Sequence, residues 1–232
     1  MGTMTKHIKS TFLSSLCFVF AFSSFAGEIR EEFDSPGLDP NLWEVTTAGK
    51  ASFEIENGKL ILTSDAVEDG IFLYYVWKIG EEDITIEVNL DPSEIRDAGA
   101  IGFTREMLTP TVNTDVNPQF IATFMGVKPI GCYLMDETNQ AQLDLSVDYD
   151  PEEHLFRTEM AGDRIIFSID QQEVGELERQ VPERYYMITP DPYTSHYAGI
   201  MSIESIRIAG PNVHAVEPQC KLTATWGRIK SR

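Results

Sequence analysis

Residues 153–175 read EHLFRTEMAGDRIIFSIDQQEVG, and their alternation decides the fold class. Successive side chains of a β-strand point to opposite faces, so the first eight positions predict a strand. One face of that strand carries His154, Phe156, Thr158 and Met160. Residues 161–163 (Ala-Gly-Asp) predict a tight turn, because glycine accepts a positive φ and aspartate bonds its own backbone. The chain then returns with Ile165, Phe167 and Ile169 on one face and reverses again at 170–173, which predicts a β-meander.

The same period-2 pattern recurs along most of the chain. Asn57-Gly58 is the strongest two-residue turn signal, and it predicts a hairpin between two alternating segments. Turn signals recur about every eight to twelve residues without a sustained helical period, which predicts an all-β domain over residues 27–210, a two-sheet antiparallel sandwich of jelly-roll type. Strands are predicted within residues 53–62, 71–78, 84–90, 99–104, 120–124, 131–135, 185–188 and 200–208.

Two stretches carry a resemblance to a known superfamily. From His154 to Asp170 the pattern is His-x-Phe-Arg-x-Glu-x-x-Gly-Asp-Arg-Ile-x-Phe-x-Ile-Asp, and residues 31–34 and 38–43 read Glu-Glu-Phe-Asp and Leu-Asp-Pro-Asn-Leu-Trp. Both resemble concanavalin A-like lectin/glucanase domains, which include laminin-G-like modules and family 16 glycoside hydrolases. The family usually has Asp-Gly where this chain has Asp170-Gln171, so a longer second turn is expected. Trp43 is expected to close one end of the core.

The resemblance also indicates where catalytic carboxylates would lie. Family 16 glycosidases need two of them on one face of one strand, as nucleophile and general acid. The matching segment here, residues 118–126, reads PQFIATFMG and has no carboxylate. The implied function is therefore a non-catalytic module that binds carbohydrate or another extracellular surface. The alternative is a sugar-processing hydrolase or lyase with a different active site on the same fold.

Aromatic side chains are the candidates for ligand contact, since flat rings stack on sugar C–H groups. One set is Tyr75 and Trp77, which lie two positions apart on one predicted strand, residues 71–78. The other set lies in the loop before the last strand: Asp191, Tyr193, His196 and Tyr197. For each aromatic side chain, packing in the core or at its rim is the alternative interpretation.

The resemblance further implies a calcium ion on the convex side of the sandwich. It would be held by an acidic residue of the first strand and one of the last, and Glu32 and Glu204 match those positions. Carboxylate oxygens suit this ion. The alternative is that both are charged strand ends without a metal.

Residues 1–26 have the features of a cleaved secretory signal. Lys6 and Lys9 precede an apolar run over residues 12–25, and Ser24 and Ala26 place small residues at the −3 and −1 positions of a cut after Ala26. A membrane anchor is the alternative. No later stretch approaches the roughly 20 apolar residues that span a bilayer, so we expect a secreted or periplasmic protein without a transmembrane segment in the mature chain.

The net charge of the protein disfavours some classes of ligand. The formal net charge is −19, which disfavours nucleic acid and anionic lipid as ligands. Residues 211–232 form a tail with a different character, because residues 220–232 carry Lys221, Arg228, Lys230 and Arg232 and no acidic residue. This tail either docks on or near the acidic domain or serves as a membrane or partner hook.

Two cysteines remain after the predicted signal, Cys132 and Cys220, and they either form a disulfide or remain free.

Overall fold

The computed structural model describes residues 27–64, 69–80, 82–95, 98–110, 118–125, 130–136, 145–147, 153–179, 184–191, 199–211 and 213, with the backbone alone for residues 118–147. The signal-peptide prediction, Cys220 and nearly all of the C-terminal tail lie outside these residues. Every helix or strand that is described is a β-strand, which confirms the all-β class. Among the described residues there is no helix long and apolar enough to cross a membrane.

The strands follow the alternating segments of the sequence. In chain order they are β1 (Gly27–Glu31), β2 (Trp43–Ala48), β3 (Ser52–Glu56), β4 (Lys59–Ser64), β5 (Gly70–Tyr75), β6 (Ile84–Asp91), β7 (Ala98–Thr104), β8 (Pro118–Met125), β9 (Ile130–Asp136), β10 (Leu145–Val147), β11 (His154–Ala161), β12 (Arg164–Ile169), β13 (Gln172–Glu178), β14 (Tyr185–Thr189) and β15 (Gly199–Gly210). Each predicted strand overlaps one of these or, for residues 53–62, the β3–β4 hairpin, although β5 ends three residues before the predicted segment 71–78 does.

These strands form two antiparallel sheets. The eight-stranded sheet has the order β13-β12-β11-β6-β15-β4-β3, and β1 also pairs with β15. The seven-stranded sheet has the order β10-β9-β8-β7-β14-β5-β2. The core lies between the sheets, and strand β6 alternates strictly between buried and half-buried positions, as expected for a strand with one face on a core. The molecule is the two-sheet jelly-roll sandwich that the sequence predicts.

The central meander forms as predicted, apart from its second turn. Ala161 pairs with Arg164 across a loop in which Gly162 has φ 61°. At the second reversal Ile169 pairs with Gln172, so the expectation of a longer turn is wrong. The loop has only two residues, Asp170 and Gln171, and both adopt left-handed backbone angles with φ 48° and 70°.

The side chain of Asp170 explains how this tight turn forms without glycine. Its Oδ1 accepts a hydrogen bond from the backbone N of Leu155 at 2.9 Å, and its Oδ2 lies 2.7 Å from Nδ1 of His154. Aspartate tolerates the left-handed region better than most residues. Side-chain contacts to the neighbouring strand therefore hold the turn in place.

Trp43 lies in the core, as expected. It is 3% exposed and packs against Tyr75, with ring centroids 5.8 Å apart. The preceding turn is closed by the carbonyl of Asp39, which accepts hydrogen bonds from the backbone N atoms of Leu42 and Trp43 at 3.0 and 2.9 Å. The turn thereby directs the indole between the sheets.

Candidate functional site

Strand β8 is an interior strand of the seven-stranded sheet, third from the β10 edge and between β7 and β9. Its register places Thr123 opposite Ala100 of β7 and Tyr133 of β9. This is the strand that the sequence resemblance aligns with the catalytic strand of family 16 glycosidases, and it contains no Asp or Glu. Strand β8 therefore lacks the pair of carboxylates that family 16 glycosidases use as nucleophile and general acid.

The outward face of the seven-stranded sheet is partly covered by residues 105–110, which we call the strap. Two of its side chains, Met107 and Leu108, pack on a buried cluster separate from the main core. The cluster consists of Phe72, Tyr74, Ala100 and Met187, with Tyr185 at its edge. Strand β5 is consequently buried at every position, which single-faced alternation does not predict.

Three hydrogen bonds fix the strap. The backbone N of Leu108 donates to the Tyr74 hydroxyl at 3.1 Å, and the Thr46 hydroxyl donates to the Leu108 carbonyl at 2.7 Å. The Thr104 hydroxyl donates to the Glu106 carbonyl at 2.9 Å. Burial raises the pKa of Tyr74 to about 12, so its hydroxyl stays neutral and can both donate and accept. The strap therefore covers the outward face around Phe72, Tyr74, Ala100 and Met187, on β5, β7 and β14.

Tyr75 and Trp77 do not share a surface. Tyr75 is 5% exposed and lies in the core against Trp43, so it presents no ring face to a ligand. Burial raises its pKa to about 12. Strand β5 ends at Tyr75, and beyond it Trp77 is 58% exposed. The indole Nε1 donates to the carbonyl of Asn41 at 3.0 Å, which orients the exposed ring.

The second set of candidates is described only at Asp191, because Tyr193, His196 and Tyr197 lie outside the described residues. Asp191 is 2% exposed and follows β14 directly. Its backbone N donates to the Thr189 hydroxyl at 3.1 Å, and that hydroxyl donates to the Asp191 carbonyl at 3.0 Å. Asp191 is therefore buried at the end of β14, and its role in ligand binding stays a prediction.

The two calcium candidates have separate partners. Glu32 is exposed and forms an ion pair with Nε of Arg30 at 2.7 Å. Glu204 is exposed and accepts a hydrogen bond from Nδ2 of Asn89 at 2.7 Å. Within the described ranges no group of three or more His, Cys, Asp or Glu side chains is placed to hold a metal ion. Calcium binding by Glu32 and Glu204 stays a prediction.

The structure also brings together a polar row, of which sequence reasoning had singled out Glu204 alone. Lys59, Glu204, Asn89 and Glu153 meet on the outward face of the eight-stranded sheet, from β4 to the start of β11. A β-bulge between Ile203 and Ser205 adds Glu204 as an extra residue and leaves it exposed. Nδ2 of Asn89 contacts both carboxylates, and Nζ of Lys59 lies 3.1 Å from Oε2 of Glu153.

The pKa values of the two carboxyl groups in this row are shifted in opposite directions. They lie within hydrogen-bonding reach of each other, and this hydrogen bond raises the pKa of Glu204. The same hydrogen bond from Glu204, together with the Lys59 ammonium, lowers the pKa of Glu153. Two like charges this close cannot both ionise freely.

A groove of about 330 Å³ adjoins the polar row on the same face. One register row crosses it: Glu54 of β3 lies opposite Ile61 of β4, which lies opposite Ser202 of β15, which lies opposite Asp91 of β6. The remaining lining comes from Thr63, Ser93, Glu94 and Ile200. The groove therefore has an aliphatic and hydroxyl floor with carboxylates at its sides.

Solved structures share this architecture at low sequence identity. An endo-β-1,3-glucanase from Pyrococcus furiosus matches with a TM-score of 0.57 and 11% identity, over 78% of this chain and 93% of that chain. An immunostimulatory antigen and pseudo β-1,3-glucanase of Mycobacterium tuberculosis matches with a TM-score of 0.54 and 14% identity, over 80% and 98%. The carbohydrate recognition domain of Emp47p matches with a TM-score of 0.54 and 12% identity, over 81% and 96%.

At the level of sequence, neither comparison gives a match. No protein-family model matches the chain, and no curated protein matches its sequence. The order of the strands, the two antiparallel sheets and the solved structures agree on one architecture. The chain has the concanavalin A-like lectin/glucanase fold.

Proposed function

We propose that the protein is an exported, non-catalytic β-sandwich module that binds carbohydrate on an extracellular surface. The observation that carries this proposal is strand β8, a central strand of a glucanase-like sheet with no carboxylate. The similar solved structures include a pseudo-glucanase and a carbohydrate recognition domain, which supports binding without hydrolysis. Calcium, held by Glu32 and Glu204, is part of the proposal as an aid to binding.

A hydrolase with a different active site is less well supported. The carboxylate pair with opposed pKa shifts, Glu153 and Glu204, lies within hydrogen-bonding reach. Retaining glycosidases hold their two carboxyl groups about 5–5.5 Å apart, and inverting enzymes hold them farther apart. The pair instead shares the side-chain amide of Asn89, and Glu153 is paired with Lys59, an arrangement that does not match either kind of glycosidase.

Trp77 is the described side chain best suited to stack on a sugar. Its ring is exposed, and the hydrogen bond from Nε1 to Asn41 fixes the orientation of the indole before any ligand arrives. A pre-oriented ring loses little conformational entropy on binding. Phe53, the other large hydrophobic side chain exposed in the described chain, lies on the edge strand β3.

The test is a glycan array with and without calcium, followed by titration of the strongest ligand. We expect Trp77→Ala to weaken binding by roughly thirtyfold, which corresponds to a hot-spot loss of about 2 kcal/mol. Phe53→Ala is the matched control, and its affinity should equal that of the wild type. The proposal fails if the wild-type protein binds no glycan, and the assignment of Trp77 fails if both variants bind equally well.

A further inference from the structure

The groove on the eight-stranded sheet is lined by carboxylates without an ion pair, unlike the part of the same face near β1. There the carboxylates are paired with arginines: Nη2 of Arg207 lies 3.1 Å from Oε2 of Glu28, Nη1 of Arg207 lies 2.9 Å from Oε2 of Glu87, and Nη2 of Arg157 lies 2.7 Å from Oε2 of Glu159. At the groove, by contrast, no ion pair within the described residues involves the three carboxylates that line it, Glu54, Asp91 and Glu94. Lys59 interacts electrostatically with Asp91, but its ion pair is with Glu153.

This arrangement fits a cationic, partly apolar occupant. Ile61 and Ile200 are half-buried and offer the aliphatic stems of Lys or Arg side chains an apolar floor. The carboxylates at the sides can receive the charged ends, and the groove of about 330 Å³ has room for a few side chains. Weak attraction of this kind is enough to fill the groove when the occupant is tethered to the same chain, because tethering gives it a high effective concentration.

The chain itself contains such an occupant. Residues 220–232 carry four basic residues and no acidic one, together with Leu222, Trp226 and Ile229. We propose that the groove is the docking site of this basic C-terminal segment in the same molecule. It engages through its last residues, with Lys230 close to Glu54, Asp91 or Glu94.

The length of the chain permits this contact and favours the residues farther along the segment. The backbone N of Val213 donates to the carbonyl of Gly210, at the end of β15. The groove lies around Ser202, eight residues back along β15 or about 27 Å. Lys230 follows Val213 by 17 residues and can span up to about 61 Å, so it reaches the groove with slack, whereas Lys221 follows by only eight and reaches at most about 29 Å, close to the full distance.

Carbodiimide coupling, which joins an amine directly to a carboxylate, tests this in the purified full chain. The existing Lys59–Glu153 ion pair at 3.1 Å is an internal positive control for the reaction. Mass spectrometry should find Lys230 linked to Glu54, Asp91 or Glu94 at low salt. The link should be lost at about 1 M salt, where the screening length falls to about 3 Å.

A triple variant, Glu54→Gln, Asp91→Asn and Glu94→Gln, distinguishes the groove from acidic surface in general. It should lose the Lys230 links while the Lys59–Glu153 link persists, which also shows that the sheet is folded. Coupling a mixture of isotopically light and heavy chains identifies links between molecules. The proposal is contradicted if Lys230 links chiefly to other carboxylates or to another molecule, or if Lys230 remains unlinked while Lys59 couples.

Discussion

At the scale of single residues, we expect the two carboxylates in the polar row of the eight-stranded sheet to affect stability in opposite directions. Glu204 carries a raised pKa beside Glu153, so at neutral pH its ionised form is disfavoured in the folded state. Glu153 carries a lowered pKa, because both Glu204 and Lys59 favour its ionised form. Both groups are solvent-accessible, so we expect small effects on stability, and the test compares the direction of the two effects.

We expect Glu204→Gln to raise the melting temperature at pH 7 in metal-free buffer, and Glu153→Gln to lower it. The proton on Glu204 stabilises the fold at low pH and is lost as the pH rises through its raised pKa, so the advantage of the Glu204→Gln variant should grow from acidic to neutral pH. Glu173→Gln, at an exposed position of β13, is the control. Equal shifts in both variants would show that the two carboxylates do not interact.

Single residues also show where sequence reasoning failed at the site. Tyr75 and Trp77 are two positions apart, which predicts that they share one strand face, but β5 ends at Tyr75. Trp77 therefore follows the path of the chain after the strand, and the carbonyl of Asn41 orients it. Where a strand ends depends on its neighbours in the sheet, and the period-2 pattern alone does not contain this information.

At the scale of elements, the second turn of the meander gives a prediction about backbone strain. Gln171 has φ 70°, a conformation that costs a residue with a Cβ about 1–2 kcal/mol and costs glycine almost nothing. The greater freedom of glycine in the unfolded chain offsets about 0.5–1 kcal/mol of this. Gln171→Gly should therefore raise the free energy of unfolding by roughly 0.5–1 kcal/mol.

Denaturant unfolding of Gln171→Gly measures this difference, and Gln172→Gly, one residue further on in β13, is the matched control. The control should destabilise the protein, because glycine in a strand loses conformational entropy without relieving strain. A loss of stability in both variants would contradict the two-residue geometry of the turn.

The elements also mark the limit of what the sequence predicts. The meander, the β3–β4 hairpin and the last strand were predictable because their pairing is local or their alternation is clean. The strap was not, because Thr46 and Leu108 are 62 positions apart and nothing in residues 105–110 indicates which sheet face they cover. Long-range contacts of this kind follow from the topology of the sheets.

At the scale of the whole molecule, each sheet presents a different outward face. On the seven-stranded sheet the strap covers part of β5, β7 and β14, while on the eight-stranded sheet the polar row and the groove are open. The groove is assembled from four strands that span residues 52 to 210 of the chain, so no local motif could reveal it. Its acidic lining and the basic segment at residues 220–232 were visible in the sequence only as separate features.

The central claim is that this glucanase-like sandwich binds carbohydrate without cleaving it. The most direct measurement incubates the purified protein with a panel of β-glucans, including the ligand selected on the glycan array, and assays bound protein and new reducing ends together. We expect binding without release of reducing ends, because β8 has no carboxylate. Reducing ends that appear with the wild-type protein, and disappear when an Asp or Glu of this chain is replaced by its amide, would contradict the claim.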